Sequence, residues 1–379
     1  MNETLLTWIV FILAFGGMVL IHEFGHFIAA RISGIEVEEF GIGLPTPGAI
    51  TLFTWKGTRF TLNWLPLGGF VRPKGENDPN VPGGLAAASP WKRLFVLVSG
   101  PLMNLLTAVI IYAIIFNQVG VPDTNRVLVD SVTPGSPAAA AGFKSGDVFV
   151  SGNGQPINNY DKLRVIVDGN AEKPVQFVVE RDGKQVELTA IPRMNETEKR
   201  VMIGVGLSVP FKQTSSVTET LGLGAQYTGY TVRALIAMPA QLIRGTLAPE
   251  QGRIIGLKGI FDILGQSVSR DMEAASNNSA PAANTDGSAP VPTSPSDRPV
   301  RTLELLASLS ISLGVFNLFP FPALDGGRII FILPELIFRR RVSPQIENVV
   351  HGMGMALLLI FMLYVNVMDF INPVTVNIP

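Results

Sequence analysis

The strongest chemical signal in the chain is the run His22-Glu23-Phe24-Gly25-His26. On a helix, residues four apart share a face, so both imidazoles can converge on one metal ion. Glu23 lies beside them, placed to take a proton from a water that such an ion acidifies. With only three histidines in the chain, chance assembly of this pattern is on the order of one in a thousand. Two histidines at an exposed helix end are the plain alternative. Here, however, the pair continues an apolar run, where ionisable groups are costly unless they serve a purpose.

A hydrolytic metal site needs a third protein ligand and one open coordination position. His351, the remaining histidine, stands at the start of an apolar stretch and reads as an interfacial polar side chain. Asp325 is the stronger candidate. It closes the segment from Asn317 to Leu324, in which Pro320 and Pro322, with Gly326 and Gly327 just beyond, break an apolar helix. Irregular backbone at membrane depth is tolerated only where protein or water receives its polar groups, and a carboxylate there marks a functional site. A proline kink with Asp325 paired to Arg328 is the plain alternative. Two imidazoles and a carboxylate, in a chain without cysteine, suit a single catalytic Zn2+.

These residues are positioned by apolar segments. The chain has 379 residues, 47% hydrophobic and 16% charged, with a formal net charge of −1 and a mean hydropathy of +0.35. A soluble chain carries about a quarter of its residues as charges. No charge falls between Glu3 and Glu23, Arg93 and Asp123, Glu304 and Asp325, or Glu347 and Asp369. The gaps predict four transmembrane helices over 4–28, 94–118, 304–337 (interrupted) and 347–369. The first lacks a basic leader and a small-residue cleavage site, so it reads as a retained span. Lys and Arg crowd the segment between spans one and two and the turn Arg339-Arg340-Arg341. The positive-inside bias puts both there in the cytoplasm, with both termini and residues 119–303 outside. His26 and Asp325 then come to the same depth, towards the cytoplasmic face of the cell membrane.

Between the spans, residues 34–72 read as β structure, with a hairpin turning at Lys56-Gly57 and an apolar tip, Leu52-Phe53-Thr54-Trp55, able to touch the bilayer. The block 122–208 has soluble composition. Strands at 126–132, 147–151, 175–181 and 185–191 and helices at 138–142 and 160–168 predict a small α+β module. Gln226, Arg233, Gln241 and Arg244 interrupt 209–270, which predicts amphipathic helices on the membrane surface rather than a fifth span. Residues 271–300 read as a disordered linker. The organisation is therefore 1–121, 122–208, 209–270, 271–300 and 301–379. The absence of cysteine excludes a disulfide-stapled scaffold, and the near-zero net charge with no basic patch argues against nucleic acid.

HEFGHFIAAR and NLFPFPALDGG resemble the paired signatures of the site-2 protease family of intramembrane zinc metalloproteases. GIGLP at 41–45, PLGGFVRPKGE at 66–76 and SGPLMN at 99–104 extend the resemblance over nearly the whole chain. It is closest to the regulator-of-sigma-E protease subgroup. The resemblance implies zinc held by His22, His26 and Asp325, Glu23 as catalytic base, and Asn317 holding the substrate backbone. Asn104 reads as a helix-packing amide. Val132 to Ala138 followed by Ala141 to Asp147 resembles a bacterial PDZ domain, whose groove takes peptides by strand addition. Members of the subgroup carry two such domains, and this chain shows one. The implied fold is a polytopic α-helical membrane protein with four transmembrane helices, a membrane-associated β-hairpin and an inserted extracytoplasmic PDZ domain. The implied substrates are single-span membrane proteins, such as anti-sigma factors trimmed by a prior site-1 protease, or remnant signal peptides. Three other readings stand beside it: a membrane-anchored zincin facing the cytoplasm, a PDZ-bearing adaptor, and a transporter. The last lacks an inverted repeat.

Overall fold

The computed structural model describes residues 3–195, 199–246, 253–279 and 299–373. The chain divides into two compact units, one built from residues up to 114, 220–272 and from 300 onward, the other on 115–219.

In the first unit, α1 (Glu3–Ile32) and α2 (Pro90–Val119) are long apolar helices, and α9 (Pro344–Ile371) is a third. These three meet the length and composition of a membrane-crossing helix among the described residues. The third expected span, 304–337, expected to be interrupted, holds two helices, α7 (Arg301–Leu318) and α8 (Asp325–Phe338), of 18 and 14 residues. Pro320 and Pro322 donate no N–H and clash with the preceding turn, so the helix stops at Leu318 and restarts at Asp325. Neither piece alone reaches the ~20 residues of a full span.

Residues 37–73 form a four-stranded sheet in the order β2-β3-β1-β4, from β1 (Val37–Leu44), β2 (Ile50–Trp55), β3 (Thr58–Leu62) and β4 (Leu65–Pro73). The β2–β3 turn at Lys56-Gly57 has φ of 47° and 85°, the left-handed pair that a tight hairpin favours. β1 runs parallel to β3, with Phe40 opposite Phe60, and antiparallel to β4, with Phe40 opposite Val71. The expected hairpin is thus one side of a mixed sheet. β2 forms one edge, with all six residues exposed. β4 forms the other and lies along α1, where a Cβ on Gly69 would sit 2.6 Å from the Leu20 side chain. Phe27 meets Phe40 and Phe60 edge-on between helix and sheet, and Phe40 and Phe60 are tilted to each other, with ring centroids 5.6–5.7 Å apart. Ala30, Val37 and Val96 complete that core. The helix carrying both histidines is thereby clamped between β4 and α2.

Two further helices, α5 (Val217–Ile243) and α6 (Leu257–Ser279), occupy the region expected to hold surface helices. Asp369, buried near the end of α9, accepts the N–H groups of Gly256 at 2.7 Å and Gly259 at 3.2 Å, and so neutralises the start of α6. α6 continues through Ser279, past the 271 boundary expected for the linker; residues 280–298 of that linker lie outside the described residues.

The second unit is an α+β module. Its strands are β5 (Val121–Pro122), β6 (Val127–Val132), β7 (Val148–Gly152), β8 (Gln155–Pro156), β9 (Val175–Arg181), β10 (Lys184–Ala190), β11 (Arg193–Asn195), β12 (Arg200–Met202), β13 (Val205–Ser208) and β14 (Phe211–Lys212). The helices are α3 (Pro137–Ala141) and α4 (Tyr160–Asp168). The main sheet runs β10-β9-β7-β6-β13, so β13 is an edge strand. Phe143, Phe149 and Phe177 fill the core with Val127, Val129, Val175 and Val179. Ser136 caps α3 and Asn159 caps α4 through side-chain oxygens, and Gly142 ends α3 at φ 83°.

Candidate metal centre

α1 places His22 and His26 one turn apart, and their rings meet edge-on with centroids 4.7 Å apart. His22 Nε2 lies 3.1 Å from His26 Nε2. Asp325 Oδ2 lies 3.1 Å from His22 Nε2 and 3.3 Å from His26 Nε2. Both histidines are buried and Asp325 nearly so. Among the described residues, this is the set of three potential ligands whose donor atoms converge. Zinc–ligand bonds of ~2.0–2.1 Å in a tetrahedron set donors about 3.3 Å apart, so the three atoms are spaced as a shared metal requires. The donor chemistry, N, N and O, suits zinc equally well.

The scaffold around the triad explains why the three meet. His26 Nδ1 donates to the carbonyl of Val96 at 2.8 Å, which leaves Nε2 free as a ligand. α2 approaches closely because Gly25 and Gly100 have no side chains. A Cβ on Gly25 would strike the Ser99 carbonyl, and one on Gly100 the His26 ring. Asn104, wholly buried on the same helix, places its amide Nδ2 3.1 Å from His22 Nδ1. The packing role expected for Asn104 is therefore incomplete, since its amide reaches His22.

Asp325 opens α8. The turn before it holds Ala323 at φ 83°, a conformation costly for a residue with a Cβ. The Ala323 N–H is bound by His351 Nδ1 at 2.9 Å, so this third histidine secures the turn from α9 rather than facing an interface. Gly326 and Gly327 are packed against the carbonyls of Leu318, Phe319 and Phe321, where a Cβ would collide. Arg328 does not pair with Asp325; it donates to Glu76 at 2.5 Å. Arg93 on α2 pairs with Glu335 on α8, tying the helix that flanks both histidines to the one that opens with Asp325.

Glu23 stands beside the triad, half-buried, and its Oε2 accepts the N–H of Val71 in β4 at 3.0 Å. Asn317 is not drawn onto the triad in the same way: its amide donates to the Leu313 carbonyl, one turn back in α7, at 2.9 Å. Asn104 and His351 are the two contacts that the sequence reading missed. The only advance signal was that SGPLMN is a polar interruption in an apolar helix and that His351 is one of three histidines.

The comparisons agree on one family. The model of peptidase family M50 matches residues 10–361. A metalloprotease of Caulobacter vibrioides, MmpA, is 32% identical over 92% of this chain and 91% of its own. A protein of Clostridium acetobutylicum, named by inference a zinc metalloprotease, is 27% identical over 97% of this chain and 98% of its own. An Enterococcus faecalis protein, Eep, named by inference a protease, is 28% identical over 95% of this chain and 97% of its own. Among solved structures, a PDZ domain of an SdrC-like protein from Listeria monocytogenes covers 22% of this chain and 87% of its own, at 18% identity and a TM-score of 0.21.

Proposed function

The chain belongs to peptidase family M50, the site-2 proteases, and is a zinc metalloprotease; from that premise we propose that it hydrolyses peptide bonds within the membrane-spanning segments of single-span proteins. The observation that carries this reading is the Glu23–Val71 contact. It joins the general base to the edge of a β-strand, at the foot of an apolar helix.

His22, His26 and Asp325 would hold the ion. Bound zinc supplies a Lewis acid that acidifies a water and polarises the scissile carbonyl. Glu23, through the carboxylate oxygen that Val71 does not hold, would take the proton from the attacking water and pass it to the leaving amide nitrogen. A helical peptide bond is shielded, so the substrate must be extended before attack. Strand addition along β4 fits that need, because β4 is an edge strand that runs beside Glu23. Asn317 is the candidate to hold the extended backbone, by resemblance to the family's motif.

α7 and α8 together form the interrupted third span, the active site faces the cytoplasm, and 122–208 lies outside. Between α4 and β13 runs a groove of about 300 Å³, lined by Leu163, Val167, Ile203 and Val205, suited to a PDZ-type peptide ligand. Anti-sigma factors already trimmed by a site-1 protease, or remnant signal peptides, are the substrate classes this arrangement fits. The test is to incubate the protein in liposomes with a single-span substrate lacking its outer domain and to locate the cut by mass spectrometry. A scissile bond inside the span supports the proposal. Cuts confined to extramembrane segments contradict it.

A further inference from the structure

An imidazole that gives Nε2 to a metal carries its proton on Nδ1, and when buried that proton needs an acceptor. His26 has one in the carbonyl of Val96. The group facing His22 Nδ1 is the side-chain amide of Asn104, 3.1 Å away. We propose that Asn104 is the positioning residue of the metal centre, its Oδ1 accepting the His22 Nδ1 proton and so fixing His22 in the metal-binding tautomer. The inference rests on His22, His26 and Asp325 being the ligand set.

Three observations support it. First, Asn104 is fully buried and its Oδ1 has no hydrogen-bond partner among the described residues. A buried acceptor left unpaired is costly. Second, Nδ2 is the atom turned towards Nδ1. A donor there requires Nδ1 to accept, which places the His22 proton on Nε2, the atom aimed at His26 and Asp325. Half a turn of the amide exchanges the two ends at almost no steric cost. It gives Oδ1 the Nδ1 proton and clears Nε2 for the ion. Third, the backbone beneath the amide is anchored. Ser310 Oγ on α7 donates to the Asn104 carbonyl at 2.8 Å, and both residues are wholly buried. The amide can turn while its Cα stays fixed. α2 thus orients both histidines, one through a carbonyl and the other through a side chain.

The two roles for Asn104, acceptor or packing, separate by substitution. Asn104→Leu keeps the volume and removes the acceptor; Asn104→Asp keeps an acceptor oxygen. The full-length protein in detergent would be titrated with zinc against a chromophoric chelator, and the Co2+-loaded forms compared by visible absorption. The expected result is a zinc affinity lowered about 10- to 100-fold in Asn104→Leu, with an altered Co2+ spectrum. Asn104→Asp should stay within a few-fold of the parent. Parental affinity in Asn104→Leu overturns the assignment, and so does an equal loss in both variants, since that would mark a packing effect. His22→Ala serves as control. If it too binds zinc at parental strength, the ligand set falls along with the inference, whereas a large loss confines any failure to Asn104.

Discussion

The backbone N–H of Val71 donates to Oε2 of Glu23 across 48 residues of sequence, at 3.0 Å. β4 thereby aims one carboxylate oxygen and leaves the other for chemistry. Pro is tolerated at edge-strand positions whose N–H faces away from the sheet, so Val71→Pro removes this donor without dismantling β4. The expected outcome is a kcat lowered about tenfold or more, as a charge-assisted hydrogen bond is lost, with zinc content unchanged. Steady-state kinetics on a trimmed substrate, with metal analysis of the same samples, checks both halves.

Gly326 follows Asp325 and packs on the carbonyls of Leu318 and Phe319. A methyl group there has no space, so Gly326→Ala must push α8 away from the end of α7. Displacement of even 1 Å at a ligand is felt strongly in a metal site. Gly326→Ala is expected to purify with well under half the parental zinc, while a change at Gly17, where a Cβ meets nothing within 4 Å, leaves zinc unaltered.

His351 reaches the same turn from α9. Replacing it with Ala strands the Ala323 N–H, and an unpaired buried donor costs about 1–3 kcal/mol. A lowered thermal midpoint is expected, with weakened zinc binding, because the freed turn carries Asp325. His351→Gln, which can still offer an acceptor, should recover part of both. Thermal unfolding and chelator competition read the two effects separately.

These positions show which parts of the site could be read from the sequence. The HExxH spacing and the Pro-Gly-broken LDG segment announce themselves locally, because periodicity and helix breakers are properties of neighbouring residues. The small α+β module was legible for the same reason: its caps and turn glycines lie in sequence beside the elements they end. By contrast, β4 is rich in Gly and Pro and has no strand signature of its own; it forms because β1 and α1 flank it. Asn104 and His351 act through contacts 82 and 28 residues distant, which no local pattern encodes. The interrupted span was legible as a break, but its resolution into two short helices depended on how Gly326 and Gly327 fold back onto α7.

In the second unit, the carboxylate of Asp147 is fully buried and takes two hydrogen bonds from Arg181, at 2.6 and 2.7 Å. It also accepts the Lys144 N–H at 2.9 Å, closing the turn after α3. Breaking such a pair from one side typically costs about 3–5 kcal/mol. Asp147→Ala in the full chain is expected to make residues 122–208 markedly more sensitive to limited proteolysis, with zinc content at the first unit unchanged.

Zinc content and cleavage measured together on the parent and Glu23→Gln test the central claim most directly. About one zinc per chain is expected in both proteins, with cleavage of a trimmed single-span substrate by the parent alone, since Glu23 moves the proton but does not hold the ion. Cleavage by Glu23→Gln at the parental rate, or loss of its zinc, would contradict the division of labour drawn here between Glu23 and the His22, His26 and Asp325 triad.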